Sequence, residues 1–204
     1  MYSRILQIVI ALFVAGNLLG VFPIVGEAGV YRPYKFSLWM NSIRTVPSAH
    51  ILSAILFQIG ALAGVLTGRY LERDGHTFGG IALRLGSLWN ALWIPVPLCL
   101  ALLSNHGVTL ETSVASIALW MALFADAMFN LFLGLSMLSI GWNIRTDSPK
   151  MGWSALLIGL LTVGVGGQFH FKEAADLLGV AGPLWLIWWL DFAFFYPKIG
   201  PQKN

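Results

Sequence analysis

Long apolar runs separated by short polar connections dominate the sequence. A helix needs about 20 mostly apolar residues to cross a hydrocarbon core roughly 30 Å thick. Several runs reach or approach that length, so the pattern predicts an all-α integral membrane protein, a bundle of about six transmembrane helices. We expect the whole chain, 1–204, to be a single membrane domain. The predicted spans are 5–25, 49–66, 78–103, 114–142, 152–168 and 177–195.

The composition supports lipid as the solvent of this chain. Hydrophobic residues make up 57% of the sequence and charged residues only 10%. Soluble domains carry about 25% charged residues, and a soluble core of this size cannot bury so much apolar surface. The single cysteine, Cys99, excludes an internal disulfide and a cage of several thiolates around a metal.

The longest connection, 26–48, mixes aromatic residues with basic ones. We expect it on the extracytoplasmic side, either as an amphipathic helix lying at the membrane interface or as an ordered lid over the bundle. The interfacial alternative would place a set of large apolar side chains among the headgroups. They are Tyr31, Tyr34, Phe36, Leu38 and Trp39.

The basic residues near the span ends predict the orientation. Cytoplasmic connections carry an excess of Lys and Arg, and with six spans the side that holds the N-terminus carries more of them. We therefore expect both termini in the cytoplasm and the protein in the inner, or cell, membrane. The predicted cytoplasmic set is Arg4, Arg69, Arg73, Arg145, Lys150, Lys198 and Lys203. The opposite set is Arg32, Lys35, Arg44 and Lys172.

A carboxylate in the middle of the fourth predicted span is the most informative residue. An ionised side chain at that depth costs about 2.5–3.5 kcal/mol, so Asp126 must face protein or water. Asn130 follows four residues later and shares its helical face. This spacing predicts an intramembrane proton or cation site, to which Asn90 of the third span could contribute. The alternative is that these polar groups only hold helices together through hydrogen bonds.

Two further charges and a pair of prolines mark the remaining spans. Arg84 and Asp191 fall at comparable depth in the third and sixth spans, which predicts a structural ion pair. The alternative is that Arg84 extends alone to the headgroups. Pro95 and Pro97 remove two backbone donors and predict a kink or break beyond Asn90.

Three of the four histidines are expected on the outer side: His50, His106 and His170. Together with nearby acids they could bind a transition metal, and two of them could hold haem. Their separate segments and the lack of a metal-ligand spacing argue against this, so we expect no bound cofactor. The segment around Gln168 and His170 is nevertheless the densest polar cluster bordering the membrane.

These features leave three functional classes open. The first is a small transporter or channel with the Asp126–Asn130 site. The second is a non-catalytic accessory subunit that docks to other membrane subunits through aromatic residues. The third is a membrane redox or metal enzyme that uses the outer histidines.

Nucleotide-binding loops and hydrolase motifs are absent from the sequence, as is a basic stripe for nucleic acid. We therefore expect lipid, but no nucleic acid, as a partner. The aromatic residues of the second hypothesis are Trp185, Trp188, Trp189, Phe192, Phe194 and Phe195.

Overall fold

The computed structural model describes residues 2–28, 36–107, 112–169 and 171–195, and within these ranges it consists of helices and short connections without a strand. Two short 3-10 turns, Gly167–Phe169 and Lys172–Leu177, lie between the last two α-helices. The α-helices are α1 Tyr2–Ala28, α2 Phe36–Thr45, α3 Pro47–Arg73, α4 Thr77–Trp93, α5 Pro95–Asn105, α6 Thr112–Ile144, α7 Pro149–Gly166 and α8 Leu178–Phe195.

Four helical stretches are long and apolar enough to cross a membrane: Pro47–Arg73, Thr77–Asn105, Ser113–Ile144 and Pro149–Gly166. Two shorter apolar stretches are Arg4–Gly20 and Leu178–Phe194. The predicted all-α architecture is therefore confirmed for the described residues, and four of the helical stretches fit a membrane protein by their length and composition.

The outer surface of the helices is itself apolar. Leu62, Leu92, Ile117 and Leu157, from four different helical stretches, are each more than half exposed. Soluble monomers do not leave extended apolar patches of this kind in contact with water. The exposed side chains fit a surface covered by lipid tails.

The long helices form a closed ring in chain order. The ring runs from α1 to α3, α4, α6 and α7, and α8 then packs back against α1. Phe13, Leu83, Met137 and Trp189 come from four of these helices and meet in one buried cluster. The centre of the bundle is therefore filled with large apolar side chains.

Glycine pairs allow two very close helix contacts. At Gly16 of α1 and Gly60 of α3 the two backbones touch, so a side chain on Gly16 would overlap the backbone of Gly60. Gly68 of α3 and Gly80 of α4 form a second pair of this type. Small residues permit such close approach between membrane helices, where lipid offers no hydrophobic driving force for association.

The prolines break the third predicted span as expected. Helix α4 ends at Trp93 and α5 begins at Pro95, with Ile94 between them in helical conformation. Pro95 and Pro97 cannot donate to the carbonyls one turn earlier, which interrupts the hydrogen-bond ladder. The predicted break is confirmed and lies one turn beyond Asn90.

Helix α2 occupies the second half of the long connection. Its residue Ile43 is fully buried and packs in a cluster with Leu100 and Leu119, from α5 and α6. This part of the connection therefore packs against α5 and α6. The side chains expected at the interface, from Tyr31 to Trp39, lie outside the described residues.

Four aromatic residues of α8 point inward. Trp185, Trp188, Trp189 and Phe192 are buried, whereas Phe194 is exposed. Trp188 stacks on Phe192 with ring centroids 5.1 Å apart, and its indole donates to the Met151 carbonyl oxygen. The expectation that this set faces outward for docking is therefore wrong for these four residues, because the closed ring turns them toward α1 and α7. The side chain of Phe195 lies outside the described residues.

Candidate functional site

Asp126 lies near the middle of the longest helix and is only 7% exposed. At 1.5 Å per residue it is about 21 Å from the start of α6 and about 27 Å from its end. Its neighbours Ala125 and Ala127 are also buried, so this turn of α6 faces protein. The carboxyl group is thus held inside the bundle at roughly half the height of the helix.

Gln168 is the side chain that meets this carboxyl group. Its Nε2 atom donates a hydrogen bond of 2.7 Å to Asp126 Oδ2, and the residue is fully buried. Gln168 belongs to the 3-10 turn that follows α7, and this tighter turn is what brings it back against α6. The sequence places Gln168 in a polar cluster at the membrane border but does not reveal its pairing with Asp126. The only signal was a polar residue closing an apolar run.

Asn130 is buried on the same face as Asp126, as predicted, but its amide is used differently. Asn130 Nδ2 donates to the backbone carbonyl oxygen of Asp126 at 2.9 Å. The amide therefore supports the backbone at the site, one helical turn from the carboxyl group.

Asn90 belongs to a separate polar group. Its Nδ2 atom donates to Asn17 Oδ1 at 3.3 Å, and the Trp93 indole donates to Asn90 Oδ1 at 2.6 Å. Asn17 in turn donates to the Phe13 carbonyl oxygen. We refer to Asn17, Asn90 and Trp93 as the asparagine network. Asn90 thus joins α4 to α1, and these hydrogen bonds do not connect it to Asp126, with which the sequence grouped it.

The predicted Arg84–Asp191 ion pair is wrong. Arg84 instead pairs with Glu72, with an N–O distance of 2.8 Å, whereas Asp191 is exposed. Helix α3 continues to Arg73, beyond the apolar run that predicted its end at residue 66, and the short turn into α4 folds Glu72 back beside Arg84. The pair therefore closes the α3–α4 hairpin and leaves α8 unconnected to Arg84.

The three outer histidines are not brought together by the described residues. His50 is buried and its Nε2 atom lies 2.9 Å from Ser42 Oγ of α2. His106 is exposed at the end of α5, and His170 lies outside the described residues. Among the side chains that the structure describes, no group of three or more His, Cys, Asp or Glu residues could hold a metal ion.

The turn between α3 and α4 holds two titratable groups that the sequence analysis did not single out. His76 is buried just before α4, with its ring 6.5 Å from that of Phe192, and burial lowers its pKa. Burial also raises the pKa of Asp74 in the same turn. In both cases desolvation disfavours the charged form.

Comparison with protein-family models, with curated proteins and with solved structures finds no match for this chain.

Proposed function

We propose that the chain spans the inner membrane six times, with both termini in the cytoplasm. Helices α1 and α8, with 27 and 18 residues, add the first and last spans. At 1.5 Å per residue they are about 40 Å and 27 Å long, close to or above the thickness of the hydrocarbon core. Arg4, Arg73 and Lys150, which this topology puts on the cytoplasmic side, are all exposed. They fit the excess of basic residues that is typical of that side.

We further propose that the protein is a small transporter or channel for protons or monovalent cations, with Asp126 as the ion-binding group. The observation that carries this proposal is the burial of the Asp126 carboxyl group halfway along α6, bonded to the Gln168 amide. A carboxylate is the ordinary protein group for binding a proton or a hard cation.

The energetics favour a binding role over a purely structural one. Hydrogen bonds between membrane helices contribute about 0.6 kcal/mol on average, whereas inserting a charged Asp costs about 2.5–3.5 kcal/mol. An asparagine at position 126 would accept the same bond from Gln168 without the charge. Helix association alone therefore gives no reason for a carboxyl group at this position.

The accessory-subunit and enzyme hypotheses have less support. The accessory hypothesis relied on outward-facing aromatic residues of α8, and four of them are buried. The enzyme hypothesis needs His50, His106 and His170 to meet. Of the two that the structure describes, His50 is bonded to Ser42 and His106 is exposed. We therefore propose neither a metal nor haem for this protein.

The test is ion flux into liposomes that contain the purified protein. Proton entry is followed with a pH-sensitive dye in the lumen, and sodium and potassium entry with dyes for those ions, under an imposed gradient of each. We expect flux of one of these ions with the wild-type protein. We expect it to fall to the level of empty liposomes with Asp126→Asn.

Asp147→Asn is the matched control, because Asp147 is exposed in the turn between α6 and α7 and its substitution should leave the bundle unchanged. Equal reconstitution is checked by quantifying the protein in each liposome batch. The proposal fails if wild-type protein moves none of the three ions, or if Asp126→Asn moves them as fast as wild type.

A further inference from the structure

One of the two polar atoms of the Gln168 amide has a hydrogen-bond partner, and the other has none among the described residues. Its nitrogen donates to Asp126, but its oxygen, Oε1, is buried and has no hydrogen-bond partner among the described residues. Buried side-chain oxygens nearly always accept a hydrogen bond, so an exception calls for a donor. Both atoms belong to one planar amide group, so the carboxyl group bonded to Nε2 also lies close to Oε1.

A protonated carboxyl group supplies that donor. An ionised Asp has acceptors only, whereas a protonated Asp has one O–H donor and keeps an acceptor oxygen. A carboxylic acid can therefore pair side by side with a primary amide. In this pair the amide N–H donates to one carboxyl oxygen while the carboxyl O–H donates to the amide oxygen.

We propose that the ion bound at Asp126 is a proton, and that Gln168 Oε1 is the acceptor of the resulting O–H group. This inference rests on the proposed function and names the ion. Proton binding forms one O–H bond on Asp126 and one hydrogen bond to Gln168, and proton release reverses both. The bond from Gln168 Nε2 to Asp126 Oδ2 is retained in either state.

A proton fits this site better than a metal cation does. Gln168 directs an N–H group, the positive end of its dipole, at the carboxyl oxygen 2.7 Å away. A metal ion at that oxygen would have to displace this donor. Calcium and magnesium ions also take six or more oxygen ligands, often from several carboxylates, and α6 contains Asp126 as its one acidic residue.

The helices packed around α6 bring few other charges toward the site. The charged residue of α4 is Arg84, which is paired with Glu72, and that of α7 is Lys150, which is exposed in its first turn. Helix α5 contains no charged residue, and its Cys99 is exposed. Asp176, in the second 3-10 turn, is exposed. Three further titratable side chains are nearby in sequence but are not among the described side chains: His170, Lys172 and Glu173.

Infrared spectroscopy of the protein in lipid tests the proposal. A protonated carboxyl group gives a C=O stretching band that separates from amide and carboxylate bands, and hydrogen bonding lowers its frequency. We expect a band that disappears in alkaline buffer, returns on acidification and is absent in Asp126→Asn. In Gln168→Leu the band should move to higher frequency, because the acid loses both bonds to the amide.

Gln58→Leu is the matched control. Gln58 of α3 also has a buried oxygen without a partner among the described residues, and the same substitution there should leave the Asp126 band in place. The proposal is overturned if no band depends on Asp126 at any pH, or if Gln168→Leu leaves its frequency unchanged. It is also overturned if added sodium at constant pH removes the band.

The outcomes separate this inference from the proposed function. Flux that requires Asp126 but carries sodium or potassium would refute proton binding and leave the transport proposal standing. A reversible Asp126 band that responds to Gln168→Leu, in a protein without ion flux, would refute transport and leave the acid–amide pair standing.

Discussion

At the scale of single residues, buried polar side chains in this bundle are held by specific neighbours. In the asparagine network, Asn90 is both the donor to Asn17 and the acceptor for the Trp93 indole. Lipid offers no substitute partner if one member is removed. The whole network therefore depends on a single amide group next to the break between α4 and α5.

Asn90→Leu should lower the free energy of unfolding by about 1–3 kcal/mol, because it leaves buried polar groups of Asn17 and Trp93 without partners. The measurement is thermal or denaturant unfolding in detergent. Asn105→Leu is the control, since Asn105 is exposed at the end of α5. Equal stability of the two variants would show that the network contributes little.

His76 should make stability depend on pH. Because burial lowers its pKa below the usual 6.5, the folded protein keeps this ring neutral at pH values where the unfolded chain already binds a proton. Its contribution is therefore complete above pH 6.5 and is lost as the pH falls toward the folded-state pKa. Asp74, whose pKa is raised, acts in the opposite direction, but it is present in both wild type and His76→Gln and does not affect their difference.

His76→Gln removes the titrating group and gives the comparison. Unfolding in detergent is followed from about pH 7.5 to about pH 5.5. Wild type should lose stability relative to His76→Gln as the pH falls across this range. Parallel curves for the two proteins would contradict a buried neutral histidine.

The sequence identified the important intramembrane carboxylate but not its partner. Because a charge in lipid is costly, Asp126 stands out in the apolar run of the fourth predicted span. Its pairing with Gln168 depends on a 3-10 turn after α7, which periodicity does not reveal. The Arg84 prediction failed for a related reason: Glu72 lies past the apolar run, in the part of α3 that continues beyond it.

At the scale of helices, glycine contacts decide which pairs pack closely. Gly16→Ala should destabilise the protein by about 1–3 kcal/mol, because the new methyl group overlaps the Gly60 backbone and forces α1 away from α3. Unfolding in detergent measures the change in stability.

Gly179→Ala is the matched control for this substitution. Gly179 lies in α8 with no atom within 4 Å of the position that a side chain would occupy. Alanine there should be neutral or add up to about 1 kcal/mol through its higher helix propensity. If Gly16→Ala behaves like Gly179→Ala, the α1–α3 contact is looser than described.

The positions of the helices and of the break between α4 and α5 could be predicted from the sequence more readily than the contacts between helices. Apolar runs locate the parts of helices that lipid covers, but α3 and α6 extend beyond them because polar residues such as Arg69 and Asn143 continue a helix outside the core. The Pro95–Pro97 pair gave the break directly, since proline has no backbone N–H. The inward orientation of the α8 tryptophans follows from ring closure, which no local pattern encodes.

At the scale of the whole molecule, the proposed topology predicts which connections face each side. His106 and Asp147 are exposed in connections on opposite sides of the six-span arrangement. In a Cys99→Ser background, His106→Cys should react with a membrane-impermeant thiol reagent on intact cells, whereas Asp147→Cys should react only after permeabilisation. The reverse pattern would invert the topology, and labelling of both from one side would refute six spans.

We propose that Asp126 binds the transported ion and that Asn at this position can replace its structural role. The most direct test is ion flux per folded molecule, with flux and melting temperature measured on the same preparation of Asp126→Asn. We predict a melting temperature close to that of wild type, because Asn still accepts the bond from Gln168, together with complete loss of flux. A variant that fails to fold, or one whose folded fraction keeps wild-type flux, would contradict the claim.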